Sequence, residues 1–211
     1  MRLLITAGPT REPIDEVRYI TNRSSGKLGV SVARAAAQRG HEVTLLLGPV
    51  SEPVSREERL RVYRFESSAE LWQLIEAHWA DHDALVMAAA VCDYRPATVH
   101  EGKQQSDKGQ AMTLTLLPTP DLVAQAAAMK RKTQRVVAFA LEEPAKLRER
   151  ALEKLRRKGV DAIVANPLGT MDAQAITATW IKSDGQSESP GSMSKTDFGP
   201  WLVERVEALL G

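Results

Sequence analysis

Short apolar runs alternate along this chain with longer segments whose apolar residues recur at helical spacing, and few folds accept that rhythm. RLLITA (2–7), HEVTLLL (41–47), LRVYRF (60–65), DALVMAAA (83–90), RVVAFAL (135–141) and DAIVAN (161–166) are bounded by turn residues. Their near-continuous apolar character suits strands covered on both faces. KLGVSVARAAAQRG (27–40) reads as a helix ending at Gly40, a residue type suited to the left-handed position after a helix. Ser67 and Ser68 precede a second helix, with Glu70 placed for a capping box. PDLVAQAAAMKRK (120–132) opens with proline in its first turn, and EPAKLRERALEKLRRKG (143–159) runs from acids to bases as the helix dipole favours. This alternation predicts an α/β fold of the Rossmann-like, doubly wound kind: a mainly parallel sheet with helices on both faces.

The second half departs from that regularity. PATVHEGKQQSDKGQ (96–110) is polar, and AMTLTLL (111–117) alternates as an antiparallel strand does, which predicts an antiparallel extension of the sheet. ITATWIK (176–182) reads as a further strand and GQSESPGSMS (185–194) as a mobile loop. KTDFGPWLVERVEALL reads as a closing amphipathic helix kinked at Pro200. We expect a single domain over residues 1–211, long enough to bury a sizeable core.

Charge and cysteine content exclude several classes. Lys plus Arg number 28 against 27 for Asp plus Glu, so no global field draws the chain to nucleic acid or an anionic membrane. No apolar run approaches the roughly 18 residues that span a bilayer. The single cysteine, Cys92, excludes an internal disulfide, and a soluble protein of a reducing cytoplasm is expected. Cys92 itself reads as inert core or as a residue just behind the site. His78 and His82 lie four apart, yet no third ligand accompanies them and no metal site is expected there.

TAGPTREPIDEVRYITNRSSGKLG (6–29) follows the first strand directly, at the sheet edge where open α/β folds bind ligands. Asn22-Arg23-Ser24-Ser25-Gly26-Lys27 precedes the first helix, so backbone N–H groups, hydroxyls and the positive helix end can converge on an anion. The stretch matches neither a P-loop nor the three-glycine dinucleotide fingerprint. By composition alone it reads equally well as an Ω-like loop with an N-capping serine.

That stretch, AAAVCDYRPATV (88–99), the segment around Lys103, TPDLV (119–123) and the helix carrying Lys154 and Lys158 together resemble phosphopantothenate–cysteine ligase, in the same order over nearly the whole chain. The resemblance implies a homodimeric cytoplasmic ligase of coenzyme A biosynthesis. It implies CTP, or ATP, as co-substrate with Mg²⁺, and small-molecule partners: 4′-phosphopantothenate, L-cysteine and the nucleotide. The carboxylate of 4′-phosphopantothenate is activated as an acyl-nucleotide, which the amine of cysteine then attacks. A separate flavin-dependent decarboxylase is an expected partner, because the chain starts at the synthetase's first strand.

Residue by residue, the resemblance implies that Asn22 holds the acyl-nucleotide and that Arg18, Ser24, Ser25 and Gly26 position the phosphorylated acid. It implies a nucleotide site built from Ala88, Ala89, Ala90, Asp93, Thr119, Pro120, Asp121, Leu122, Phe139, Lys154 and Lys158, with Asp93 also meeting Mg²⁺ through the nucleotide. Lys103 falls where the family has the first lysine of a K-x-K-K motif and is expected to serve in catalysis. Gln105 and Ser106 stand where its companions would be, and Lys108 is a substitute from the same loop. Two other readings compete: a nicotinamide- or flavin-binding oxidoreductase, weakened by the missing glycines, and a non-catalytic nucleotide-binding relative, suggested by the shortened lysine motif.

Overall fold

The structure, a computed structural model, describes residues 1–50, 54, 57–103, 105, 109, 111–170 and 175–211. The first half forms β1 (Arg2–Ala7), β2 (Arg11–Pro13), β3 (Tyr19–Thr21), α1 (Lys27–Gln38), β4 (Glu42–Leu47), β5 (Leu60–Arg64), α2 (Ser68–His78) and β6 (Ala84–Met87). β7 (Tyr94–Pro96), β8 (Leu116–Pro118), α3 (Leu122–Met129), β9 (Arg135–Glu142), α4 (Leu147–Lys158) and β10 (Ala162–Pro167) follow. The chain closes with β11 (Ala175–Thr177), β12 (Thr179–Lys182), β13 (Ser187–Glu188), β14 (Ser192–Ser194) and α5 (Lys195–Leu210).

An eight-stranded sheet in the order β13-β12-β10-β9-β6-β1-β4-β5 forms the centre. From β5 to β10 all neighbours are parallel, and β12 and β13 continue the sheet antiparallel. The expected fold class is therefore present. After β1 the chain builds outward through β4 and β5, then returns to the other side of β1 to form β6, so the order reverses between β1 and β6. A crevice is expected at the carboxyl ends of those two strands.

Alternation along each strand splits the core into two layers. Leu3, Ile5 and Ala7 join Val30, Ala33, Phe198, Leu202 and Val206 of α1 and α5 on one face. Leu4, Leu85 and Val136 join Leu71, Ile75, Ala126 and Leu155 of α2, α3 and α4, with Trp79 just after α2, on the other. Helix α1 lies close to the sheet because Gly29 has no side chain: a Cβ there would stand 2.6 Å from Ala7 Cβ.

Several local expectations change. AMTLTLL contributes only β8, which pairs antiparallel with β7 outside the main sheet and leaves Leu116 and Leu117 exposed. The antiparallel extension comes instead from β12 and β13. GQSESPGSMS is not a loop throughout, because it holds β13 and β14, which pair with β12 and β11. Pro120 lies outside α3, whose N-cap is Asp121, its carboxylate accepting from the Ala124 N–H. At α2 the Ser67 hydroxyl accepts from the Glu70 N–H, while the Glu70 carboxylate accepts from Glu66 N–H, one residue earlier than a capping box requires. Helix α5 continues through Pro200. The Thr196 carbonyl, four residues before this donorless position, accepts from the Ser31 hydroxyl at 3.4 Å instead.

Candidate functional site

Two loops meet above the crevice between β1 and β6. Thr10 N–H donates to Ala90 O and Ala90 N–H to Gly8 O, which ties the turn after β1 to the turn after β6. The buried Thr10 hydroxyl accepts from Cys92 N–H at 3.0 Å, and the Thr21 hydroxyl donates to Thr10 O at 2.7 Å. Buried Glu12 accepts from both the N–H and the hydroxyl of Ser68, anchoring the β2–β3 hairpin to the start of α2. The long segment after β1 is thus pinned rather than free.

Beside these loops lies a cavity of about 820 Å³. Its lining brings together Asn22, Ser24, Ser25, Gly26, Ala88, Ala89, Ala90, Asp93, Thr119, Pro120, Asp121, Leu122, Phe139, Lys154 and Lys158, residues the sequence places far apart. Asn22 donates its side-chain amide to Ala90 O at 3.1 Å, so it bridges the two loops at the cavity wall. The N–H groups of Ala88, Ala89 and Ala90 are engaged by Val86 O, the Thr6 hydroxyl and Gly8 O. What the alanines offer a ligand is room, not donors, and Ala90 O is already taken by Thr10 N–H and the Asn22 amide.

Gly26 caps α1 from the left-handed region, at φ +73°, and brings no side-chain cap to the helix N-terminus. Any Cβ there would meet Val50 at 2.7 Å and the backbone of Gly8 at 3.2 Å, so the position accepts little but glycine. Across the cavity, Lys154 pairs with buried Glu142 at 2.5 Å and Lys158 with Asp121 at 2.8 Å. Burial raises the Asp121 carboxyl, but the Lys158 and Ala124 hydrogen bonds outweigh it and hold the group below the usual range. Glu142 behaves alike, with Lys154 and Arg150 overcoming burial. Both lysines therefore sit on carboxylates that can hand them to a more strongly charged anion.

Burial pushes the Cys92 thiol up, and its sulfur faces Thr10 O and Ile20 O, in keeping with inert core. Neither His78 with His82 nor any other group of three candidate ligands forms a metal cluster among the described residues.

Arg18 and Lys103 do not line the cavity. Arg18 is held by Asp15, which also accepts from the N–H groups of Val17 and Arg18 at the hairpin turn. Exposed Lys103 follows Gly102, whose N–H donates to the Glu16 carboxylate of that same hairpin. The two residues share a lobe with exposed Val17, Tyr19, Tyr94, Leu116 and Leu117. Ser106 and Lys108 lie outside the described residues.

The cavity also takes residues that sequence reasoning passed over: Arg157, Asn166, Thr170, Ile176 and Lys195. Asn166 had a readable signal, since it ends the strand DAIVAN at the carboxyl edge. Among the described residues its buried Oδ1 has no hydrogen-bond partner, nor has the buried Thr119 hydroxyl. Buried polar atoms are rarely left so, and both line the cavity, which points to a ligand as their partner.

The family described as "DNA/pantothenate metabolism flavoprotein C-terminal domain" matches residues 1–210. The chain belongs to it. Coenzyme A biosynthesis bifunctional protein CoaBC of Vibrio vulnificus (strain CMCP6) is 40% identical over 217 residues, covering 99% of this chain and 52% of that protein. The chain thus spans about half the length of the curated relatives it matches. The crystal structure of the C-terminal domain of a CoaBC protein superposes with a TM-score of 0.84 at 32% identity, covering 99% of this chain and 95% of that one. A Cab2 mutant in complex with phosphopantothenate-cysteine shares the fold, with a TM-score of 0.80 at 16% identity over 99% of this chain and 87% of that one. Among the described residues no helix is long and apolar enough to cross a membrane.

Proposed function

We propose that this chain is a phosphopantothenate–cysteine ligase of coenzyme A biosynthesis, working in the cytoplasm. The observation that carries the reading is the convergence in one cavity of the anion-binding turn before α1, the Asn22 bridge and the α4 lysines. A triphosphate needs cations and N–H donors, and a carboxylate needs a neutral donor beside it while it becomes an electrophile. Membership of the family and the CoaBC relatives support the assignment.

A carboxylate oxygen of 4′-phosphopantothenate attacks the α-phosphorus of CTP or ATP, and pyrophosphate leaves. The cysteine amine then attacks the activated acyl carbon; the nucleoside monophosphate leaves and the ammonium proton passes to solvent. Lys154 and Lys158 exchange their carboxylate partners for the triphosphate, and the N-terminal turn of α1 receives phosphoryl oxygens. Asn22 holds the acyl phosphate with a neutral amide that does not repel it. Phe139 offers the base a flat apolar face.

Mg²⁺ fits as a companion of the nucleotide. The described residues hold no cluster of three ligands, whereas Mg²⁺ characteristically takes one or two carboxylates plus substrate phosphates, and exposed Asp93 lines the cavity to serve. Bound there, it would neutralise phosphoryl charge.

A homodimer is part of the proposal. Exposed Val17, Tyr19, Tyr94, Leu116 and Leu117 lie on the two hairpins near Arg18 and Lys103, the two expected site residues that do not line the cavity. Association through that lobe would cover the apolar surface and carry both residues toward a second cavity. A flavin-dependent decarboxylase as a separate partner is retained as a proposal.

Incubation with 4′-phosphopantothenate, CTP or ATP and Mg²⁺ should release pyrophosphate, and adding cysteine should yield 4′-phosphopantothenoylcysteine by mass. No pyrophosphate with either nucleotide, together with stabilisation by a dinucleotide, would favour the oxidoreductase reading instead.

A further inference from the structure

The two α4 lysines that line the cavity rest on carboxylates of opposite kinds. The Asp121 side chain is 41% exposed and keeps the Ala124 N–H as a donor, so water and the start of α3 still hold its charge when Lys158 turns away. The Glu142 side chain is only 5% exposed. Its buried Oε1, without a hydrogen bond of its own among the described residues, has the Lys154 ammonium at 2.5 Å. Opposite Glu142 on the neighbouring strand stands Pro167, which has no N–H to offer. A buried charge stripped of its partner is far costlier than an exposed one. Lys154 is therefore the harder of the two lysines to release to a ligand.

Arg150 reduces that cost. It lies one turn before Lys154 on the same face of α4, and its guanidinium donates to Glu142 Oε2 at 3.3 Å. The Arg150 side chain is 46% exposed, and neither it nor Glu142 lines the cavity. Glu142 is thus held twice, from the cavity wall by Lys154 and from outside the cavity by Arg150. Burial raises its carboxyl, and Lys154 first, then Arg150, outweigh that effect, so the group is ionised at neutral pH.

We infer that Arg150 is a positioning residue for nucleotide binding: by holding Glu142 from outside the cavity, it frees the Lys154 ammonium to leave that carboxylate for the triphosphate. This rests on the ligase reading, in which Lys154 exchanges Glu142 for phosphate. Arg150 itself touches no substrate. With Arg150 in place the buried carboxylate keeps a counter-charge whether or not nucleotide is bound. Without it, Glu142 has Lys154 alone and competes with phosphate for that one ammonium. Arg150 therefore matters little to the free protein and more to the liganded one.

The test measures KM and kcat, and pyrophosphate binding by titration calorimetry, in Arg150→Gln, Arg150→Lys, Glu142→Gln and the double variant Arg150→Gln with Glu142→Gln. Arg156→Gln removes another exposed α4 cation outside the cavity and controls for the general loss of positive charge. In Arg150→Gln the KM for nucleotide and the Kd for pyrophosphate should rise roughly 5- to 10-fold, between the values of an exposed ion pair and of a hydrogen bond to a charged group. The KM for cysteine should stay within about twofold, and the melt of the free protein should not change. Arg150→Lys should recover most of the loss. In the Glu142→Gln background Arg150→Gln should have no effect, because no buried charge is left to hold. An Arg150→Gln protein that binds like wild type or like Arg156→Gln overturns the inference, as does an Arg150 effect that persists in full without the Glu142 charge. A lowered melt with equal loss for every substrate would mark a structural role and overturn it too. The ligase reading fails separately: if the wild type makes no product yet binds pyrophosphate, the Arg150 dependence of that binding still decides. A wild type that binds neither nucleotide nor pyrophosphate removes both.

Discussion

Replacing Gly29 by alanine sets two effects of known sign against each other. In a helix interior alanine is favoured over glycine by about 1 kcal/mol, so on propensity alone the change should stabilise α1. Packing opposes it. The new Cβ would stand 2.6 Å from Ala7 Cβ, 3.0 Å from Thr6 O and 3.1 Å from Ala7 Cα, both fully buried residues. Ordinary carbon contacts lie at roughly 3.5–4.0 Å, so α1 must retreat from β1 by about 1 Å, since no flexible side chain is there to yield. Overpacking of this kind costs about 1–3 kcal/mol, and the net expectation is a loss of about 1 kcal/mol, or about 2–4 °C in Tm for a chain of this size. The retreat also carries the Ser24–Gly26 turn away from the cavity, where a misplacement near 1 Å costs on the order of 10²-fold in turnover. Thermal melts and pyrophosphate-release kinetics would measure both, with Gly169→Ala, whose Cβ meets nothing within 4 Å, as the control. A Gly29→Ala protein that melts higher and keeps its activity would refute the close contact of α1 with β1 and the reasoning built on it.

Asn22→Asp should slow amide formation more than pyrophosphate release, because a carboxylate repels phosphoryl oxygens; equal loss in both half-reactions would contradict the assigned role. Lys103→Gln should slow acyl-nucleotide formation by roughly 10²- to 10³-fold with an unchanged melt, as for loss of one preorganised charge, and near-normal turnover at saturating nucleotide would remove it from the mechanism. Light scattering at micromolar concentration should give twice the chain mass, and a monomer mass would end the dimer proposal. Glu207 is held at about 2, chiefly by the Arg39 hydrogen bonds, so its stabilising effect is complete above the ordinary glutamate value and fades as pH falls toward 2. Glu207→Gln should therefore lower the Tm at neutral pH and flatten its decline in acid; an unchanged acid profile would show that the cluster joining α1 to α5 contributes nothing.

The parallel strands and their helices were legible because burial on both faces writes itself as continuous apolar runs, as in RLLITA and DAIVAN. The antiparallel extension is present as expected, but β12 and β13 form it rather than AMTLTLL, for a physical reason. AMTLTLL alternates, yet alternation records only that one side chain in two is apolar, and in β8 those side chains face outward. Ser187–Glu188 and Ser192–Ser194 are polar, short and edge-lying, and their pairing comes from partners rather than composition. The cavity's first half was readable from the turn before α1 and the strand-end alanines. Lys195 was not, because only the parallel packing of α5 on α1 brings it there, and Arg18 and Lys103 were matched by motif while the fold sets them on another lobe.

The contact between the first helix and the last also has a temporal side. A ribosome that has released α1 must still add every element up to α5 before the apolar stripe of α1 is covered, at roughly 5–20 residues per second. For that interval, on the order of ten seconds or more, Val30 and Ala33 lack the Phe198 and Leu202 neighbours that share their core layer. Contacts this distant in sequence slow folding, since a large loop must close before they form. A chain that has not yet added α5 therefore leaves the apolar stripe of α1 open to chaperones.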